Sequence, residues 1–265
     1  MADRIQKVEV QTMEKYYEQL NTKCKEVAKE AIKDNSILSD NMLKREEKEF
    51  LLSDWNAFLI GLISDQSVKA EIAWRLPYYL SKRLGHFDFC KIAEEETVES
   101  LETIIKEKPA LHRYPRKMAE YIFFAVNKIV KEYNSNVENI WKNDLNAEQV
   151  VAKLEEFKGI SHKKAALGTL LLVRDFGVAL ENLYCIDIAY DVHVRRIFLR
   201  MGLTDKDNVK DVTASARKIC NEFPGSLTLP FWVTGREYCR PTNPKCDECY
   251  FNQFCMKKIE LGKDL

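Results

Sequence analysis

Glycine and proline are scarce in this chain, at nine and seven of 265 residues. A turn-rich sandwich or barrel draws heavily on both, so their scarcity argues against an all-β architecture. Long apolar runs are missing too. Stretches such as Phe58–Ile63 and Leu170–Val173 fall far short of the roughly 20 residues a bilayer-spanning helix needs. The N-terminal MADRIQKVEVQTMEKYYEQ is too charged for the apolar region of a secretory leader. Nor is there an excess of either charge, with 41 basic against 41 acidic residues. That balance weighs mildly against nucleic acid as a partner but leaves room for a local basic face. The expected setting is cytoplasmic, associated with the nucleoid if the cell is prokaryotic, with no membrane partner and a monomer as the default state.

What is present is helical periodicity. Hydrophobic residues make up 46% and charged residues 31% of the chain, a profile that fits one or two compact cores. Apolar positions recur at helical spacing over residues 4–34, 53–84, 97–105, 115–133, 146–157 and 162–176, and further helices are expected at 191–201, 208–222 and 228–238. Ser53 or Asp54, Asn146 and Asp191 stand where N-caps belong. Pro115 suits a first turn, and Gly177 and Gly202 suit helix ends. The charged run KREEKEF (44–50) reads as a solvated helix face. No segment reads as a strand. The expectation is an all-α chain of about ten or more helices, without repeats or a flexible linker.

Eight cysteines in a reducing compartment are poor candidates for structural disulfides. Cys24, Cys90, Cys185 and Cys220 are scattered. Cys239, Cys246, Cys249 and Cys255 are spaced C-x6-C-x2-C-x5-C, close enough for four thiolates to meet at one metal centre. Zinc sites usually use two short knuckles, and only one C-x2-C occurs here, so the spacing leans toward iron–sulfur with zinc as the alternative. Arg240 and Lys245 flank the first loop, which Pro241 and Pro244 stiffen. It reads either as a phosphate grip or as a solubilising surface loop.

The stretch 154–202 carries a second pattern. Gly159-Ile160-Ser161 separates two amphipathic segments, and a tight turn there aims backbone N–H groups and a helix dipole at a phosphate. An ordinary helical hairpin is the plainer reading. Lys163 lies just inside the second helix, where the dipole and any burial would favour the neutral, nucleophilic amine. On its own it reads as a surface lysine beside Lys164. Asp191 is at least an N-cap, which is also a fixed place for a carboxylate.

Together these residues resemble the helix–hairpin–helix DNA glycosylase superfamily, in particular its endonuclease III-like branch. FKGISHKKA (157–165) is similar to the family's L-P-G-V-G-x-K-x-A hairpin, with Lys163 at the nucleophile's position. YDVHVRRIFLRMG (190–202) is similar to V-D-x-H-V-x-R, with Asp191 at the essential aspartate's position. The cysteine spacing matches the family's [4Fe–4S] loop. The resemblance runs from about Trp55 to the end and implies two all-α domains. A six-helix barrel with the hairpin would cover 56–178. An iron–sulfur cluster domain would be built from 179–265 together with the N-terminal extension 1–55, and DNA would lie in the groove between the domains.

The resemblance also implies a reaction. Lys163 would attack the sugar C1′ of a flipped nucleotide and form a Schiff base, with Asp191 assisting. Duplex DNA carrying a damaged or mismatched base would be the partner and a [4Fe–4S] cluster the cofactor. Gln66, in a segment like the family's L-S-x-Q, would fill the space of the flipped base, and Tyr114 would stand near the inserting wedge. Gly159, Ser161, His162, His193, Arg240 and Lys245 would complete the DNA contacts. Four features depart from the pattern, one being Tyr190 before Asp191, where an aliphatic residue is common. Ser161 replaces the second hairpin glycine, which is expected to strain the turn or alter a phosphate contact. Lys158 replaces a proline. Lys163 and Asp191 lie further apart than usual, with 181–190 as the insertion. Two alternatives stay open: a monofunctional glycosylase with water activated by Asp191, and a non-catalytic iron–sulfur protein that binds lesions.

Overall fold

The structure is a computed structural model that describes residues 2–142 and 146–260, with side chains from residue 12 onward. Its described residues form twelve α-helices: α1 (Ala2–Asn35), α2 (Arg45–Ser53), α3 (Trp55–Ser64), α4 (Ala70–Leu84), α5 (Phe89–Glu95), α6 (Val98–Lys106), α7 (Pro115–Glu132), α8 (Ala147–Glu155), α9 (His162–Arg174), α10 (Val192–Met201), α11 (Val209–Ile219) and α12 (Thr228–Glu237). Short 3-10 turns lie at Val137–Ile140, Leu183–Cys185, Pro224–Leu227 and Asn252–Phe254. The described residues contain no strand, only one isolated bridge between Asn146 and Glu181. The fold is all-α, as the periodicity predicts. None of the described helices is long and apolar enough to cross a membrane.

The caps explain where helices begin and end. The carboxylate of Asp54 accepts from the Asn56 N–H, Thr97 from that of Ser100, and Asn146 from that of Gln149. Gly85 and Gly202 end α4 and α10 in the left-handed conformation that a side chain resists.

Two compact units divide the chain: Asp34–Glu181, and Met1–Lys33 together with Asn182–Leu265. In the first, the hairpin unit, Phe58 meets Trp74, Trp141 and Phe176 with ring centres 5.2–5.7 Å apart. The expected domain start at residue 56 moves to residue 34. Ile37, Leu43 and Leu51 are buried in this unit's core, so residues 34–55 belong to it and not to the cluster domain. The run 44–50 is not wholly a solvated face either. Glu47 is buried, and its carboxylate accepts the Lys44 N–H at 2.9 Å, which starts α2.

In the second, the cysteine unit, Leu20, Cys24 and Val27 of α1 pack with Val194, Phe198, Phe231 and Phe251. Phe231 meets Phe198 edge-on and Phe251 at a tilt, with ring centres 5.0 and 4.9 Å apart. Tyr16 donates its hydroxyl to the Phe254 carbonyl at 2.8 Å, tying α1 to the cysteine loop.

Candidate active site and cysteine cavity

The hairpin is α8, a turn, and α9. Gly159 sits at φ +87°, and a Cβ there would lie 2.4 Å from the Tyr121 ring of α7. Glycine is therefore required twice, by backbone conformation and by the close approach of the ring. Ser161 behaves otherwise. Its φ of −82° and ψ of 167° are ordinary extended values, so replacing the second hairpin glycine does not strain this turn. Lys158, in place of a proline, lies over the Phe124 ring at 4.7 Å. The aromatic face of α7 thus supports the turn from beneath.

A pocket in this unit is lined by Asp65, Gln66, Gly159, Ile160, Ser161, Lys163, Lys164 and Leu167. It brings together the expected Gln66, hairpin residues and Lys163. Gln66 is anchored, its Nε2 donating to the Ile63 carbonyl at 3.0 Å. Lys163 is exposed, so the burial considered for it is not found. Burial falls on the next residue.

Lys164 is only 9% exposed and donates from Nζ to the carbonyls of Ile63 (2.7 Å) and Gly159 (3.0 Å). Burial lowers its ammonium pKa to about 8; nearby Asp65 opposes the shift, and Lys117 adds to it. Burial in turn raises the Asp65 carboxyl, against the pull of Lys164 and a 3.3 Å bond from the Trp74 indole. His112 is buried beside this group, and burial lowers its pKa below the usual imidazole value. Its Nδ1 accepts the Tyr114 N–H at 3.1 Å, while Nε2 faces the Ser64 and Gln66 backbone without closing a hydrogen bond. Lys164 and His112 were not singled out from the sequence. Lys164 had a readable signal, since it shares a helical stripe with Gly168 and Leu171, both buried.

Tyr114 precedes α7 with its ring 42% exposed and the Arg113 guanidinium 5.4 Å from its centre. His162 is exposed and pairs through Nδ1 with Glu155.

In the cysteine unit, Asp191 is the N-cap of α10. Its Oδ1 accepts from the N–H groups of His193 (2.9 Å) and Val194 (2.8 Å), which fixes the carboxylate and leaves Oδ2 for other work. His193 contacts the Arg196 guanidinium through Nδ1 at 3.1 Å and lies against Gly235. The stretch 181–190, expected as an insertion, is held down: Ile186 and Ile188 are buried, and the Gly225 N–H donates to the Ile186 carbonyl at 2.7 Å.

Cys239, Cys246, Cys249 and Cys255 line one small cavity together with Arg200, Tyr238 and Pro244. Among the described residues, no three His, Cys, Asp or Glu side chains close to the spacing that chelates a single ion. Burial pushes the Cys249 thiol up to about 11 and raises that of Cys255. A cationic centre reverses this trend, because metal binding takes thiolates. Two buried guanidiniums of α10 serve the loop. Arg196 donates to the carbonyls of Cys239 (2.7 Å) and Gly235 (2.8 Å). Arg200 donates to the carbonyls of Arg240 (2.6 Å) and Pro241 (2.8 Å) and lies 3.6 Å from the Cys239 sulfur. Four sulfurs around a cavity, with two buried cations beside them, form a donor set that fits a thiolate-bound iron–sulfur cluster carrying net negative charge. Arg240 and Lys245 are exposed on this loop, and Lys245 pairs with Glu248 at 3.4 Å.

No family model matches the chain. A stretch of 77 residues is 30% identical to endonuclease III of Thermotoga maritima, covering 29% of this chain and 36% of that protein. The aligned part thus spans about a third of the relative's length. Solved structures share the fold. An endonuclease III trapped as a covalent intermediate with DNA superposes with a TM-score of 0.60 at 20% identity, over 94% of this chain and 97% of the other. A non-covalent endonuclease III–DNA complex gives 0.59 at 20% identity over the same shares. A thermostable thymine-DNA glycosylase gives 0.55 at 14% identity, over 82% and 98%.

Proposed function

We propose that this chain, endonuclease III-like in fold and along part of its sequence, is a DNA glycosylase that also cleaves the strand as an AP lyase. One observation carries the reading. A single pocket is lined by Gln66, by the hairpin turn Gly159–Ser161 and by the exposed amine of Lys163. The turn suits a phosphate, and the amine stands on the same rim as a nucleophile. The covalent DNA intermediate of the similar endonuclease III is consistent with such an amine.

In this reading duplex DNA with a damaged or mismatched base is the substrate, and the target nucleotide leaves the stack. Gln66 and the exposed Tyr114 ring take up the vacated space. Neutral Lys163 attacks C1′, the glycosidic bond breaks, and the base departs with the bonding pair and gains a proton. The sugar ring opens to an iminium on Nζ. Loss of a C2′ proton then breaks the C3′–O bond and cuts the strand, and water returns the amine. Asp191 stabilises the cationic sugar or accepts the lysine proton. Cys239, Cys246, Cys249 and Cys255 would hold a [4Fe–4S] cluster, which supplies a structural anchor for the loop bearing Arg240 and Lys245.

The test separates base release from strand cleavage. Lys163→Gln should abolish nicking of an abasic duplex, and Asp191→Asn should slow base release. Base release that survives Lys163→Gln would instead assign a monofunctional glycosylase in which Asp191 activates water.

A further inference from the structure

Lys164 has no role in the reaction above, yet it is the buried amine of the pocket. It lies directly under the hairpin turn and bonds the Gly159 carbonyl on one side and the Ile63 carbonyl on the other. The same Ile63 carbonyl also receives the Gln66 side chain. One ammonium therefore sets both the height of the turn and the anchor of Gln66. It also places a positive charge behind the turn's N–H groups, where a phosphate would be held.

We propose that Lys164 is a positioning residue that couples DNA engagement to its own protonation. Charged, it clamps the turn to the end of α3 and adds to the phosphate's attraction; neutral, it holds the turn with weaker bonds and adds no field. The inference rests on the DNA reading of the same pocket.

The groups that face Lys164 are Asp65 after α3, Lys117 on α7 and His112 before α7, with Lys163 beside it on α9. Burial lowers the His112 pKa below the usual imidazole value, which favours its neutral form. Lys164 changes charge near pH 8. If only the charged form engages DNA, affinity falls about tenfold from pH 7 to pH 9, following the charged fraction.

The experiment measures binding of the full chain to a duplex with an uncleavable tetrahydrofuran abasic analogue, at fixed salt from pH 7 to 9. Wild type should weaken about tenfold. Lys164→Arg keeps the charge and should stay flat, and Lys164→Met should be weak at pH 7 and flat. Lys163, Lys117 and Asp65 are common to all three proteins, so the three differ only in the side chain at position 164. Should arginine not fit the site, calorimetry at pH 8 in buffers of different ionisation enthalpy gives a second readout. Wild type should take up a fraction of a proton on binding, and Lys164→Met none. Lys164→Arg tracking wild type, Lys164→Met binding like wild type at pH 7, or no proton uptake would each overturn the proposal. Wild type that binds no better to the abasic duplex than to intact DNA at any pH would sink the DNA-lesion reading, and this proposal with it.

Discussion

Arg196 of α10 donates its Nε–H to the carbonyl of Cys239 at 2.7 Å. This bond joins the helix that begins at Asp191 to the first cysteine of the cavity. Arg200, one turn further on, does the same for Arg240 and Pro241. The candidate carboxylate and the cysteine loop are therefore tied together by direct hydrogen bonds within one compact unit. Damage to the loop should be felt at Asp191 even if the cavity takes no part in the chemistry.

Removing either guanidinium should show this. Arg200→Ala removes a buried guanidinium and leaves the Arg240 and Pro241 carbonyls without their donors, and should cost on the order of 2 kcal/mol. Urea unfolding midpoints measure it. An unchanged midpoint would mean that water replaces the guanidinium and that the loop does not depend on α10.

The two hairpin positions should respond to very different degrees. Gly159→Ala forces a Cβ against Tyr121 at a positive φ and should cost about 2–3 kcal/mol as well as DNA binding. Ser161→Gly relieves no strain, because Ser161 is already extended, and should destabilise by only a few tenths of a kcal/mol. Equal effects at both sites would contradict the backbone account.

Lys164 predicts a pH dependence of stability with a definite sign. Its pKa is about 8 in the fold against 10.5 in the unfolded chain. Between those values the unfolded chain binds more protons, so raising pH from 8 toward 10.5 stabilises the native state. Below pH 8 the whole penalty remains, roughly 3 kcal/mol. Thermal unfolding of wild type and Lys164→Met across pH 7–10 should show wild type gaining on the variant as pH rises. Parallel curves would place the amine in water.

The cysteine cavity has its own check. Protein purified without oxygen should be brown and carry about four irons per chain. Cys249→Ser should lose the colour and much of the affinity for duplex DNA. Colourless protein with bound zinc, or a cluster-depleted but folded chain that binds duplex normally, would contradict the assigned anchor.

How much of this was legible follows from what each feature depends on. Asp54 (with Ser53 as its rival), Asn146, Asp191 and Gly202 act within one turn of their own chain, and local chemistry was enough to place them. The cysteine spacing was likewise a local pattern. The domain start was not, because residues 34–55 look polar along the chain, and only the packing of Ile37, Leu43 and Leu51 assigns them to the hairpin unit. The helix Phe89–Glu95 is two turns long, too short for a clear period. Lys163 and Lys164 are adjacent and chemically identical in sequence. Which one is buried depends on the face that α9 turns to the core, which the stripe through Gly168 and Leu171 marks only once the helix is recognised. Arg196 and Arg200 were hidden for a different reason: a charged residue reads as surface until its carbonyl partners, some forty residues away, are folded against it.

The most direct measurement is borohydride trapping. The protein would be incubated with duplexes carrying an abasic site, uracil, thymine glycol, 8-oxoguanine or an alkylated purine, then reduced and run on a denaturing gel. The account predicts a covalent adduct on the abasic duplex and on at least one damaged duplex, lost in Lys163→Gln and retained in the folded Lys164→Met. No adduct on any duplex, or an adduct that persists in Lys163→Gln, would contradict the assignment of Lys163 as the nucleophile.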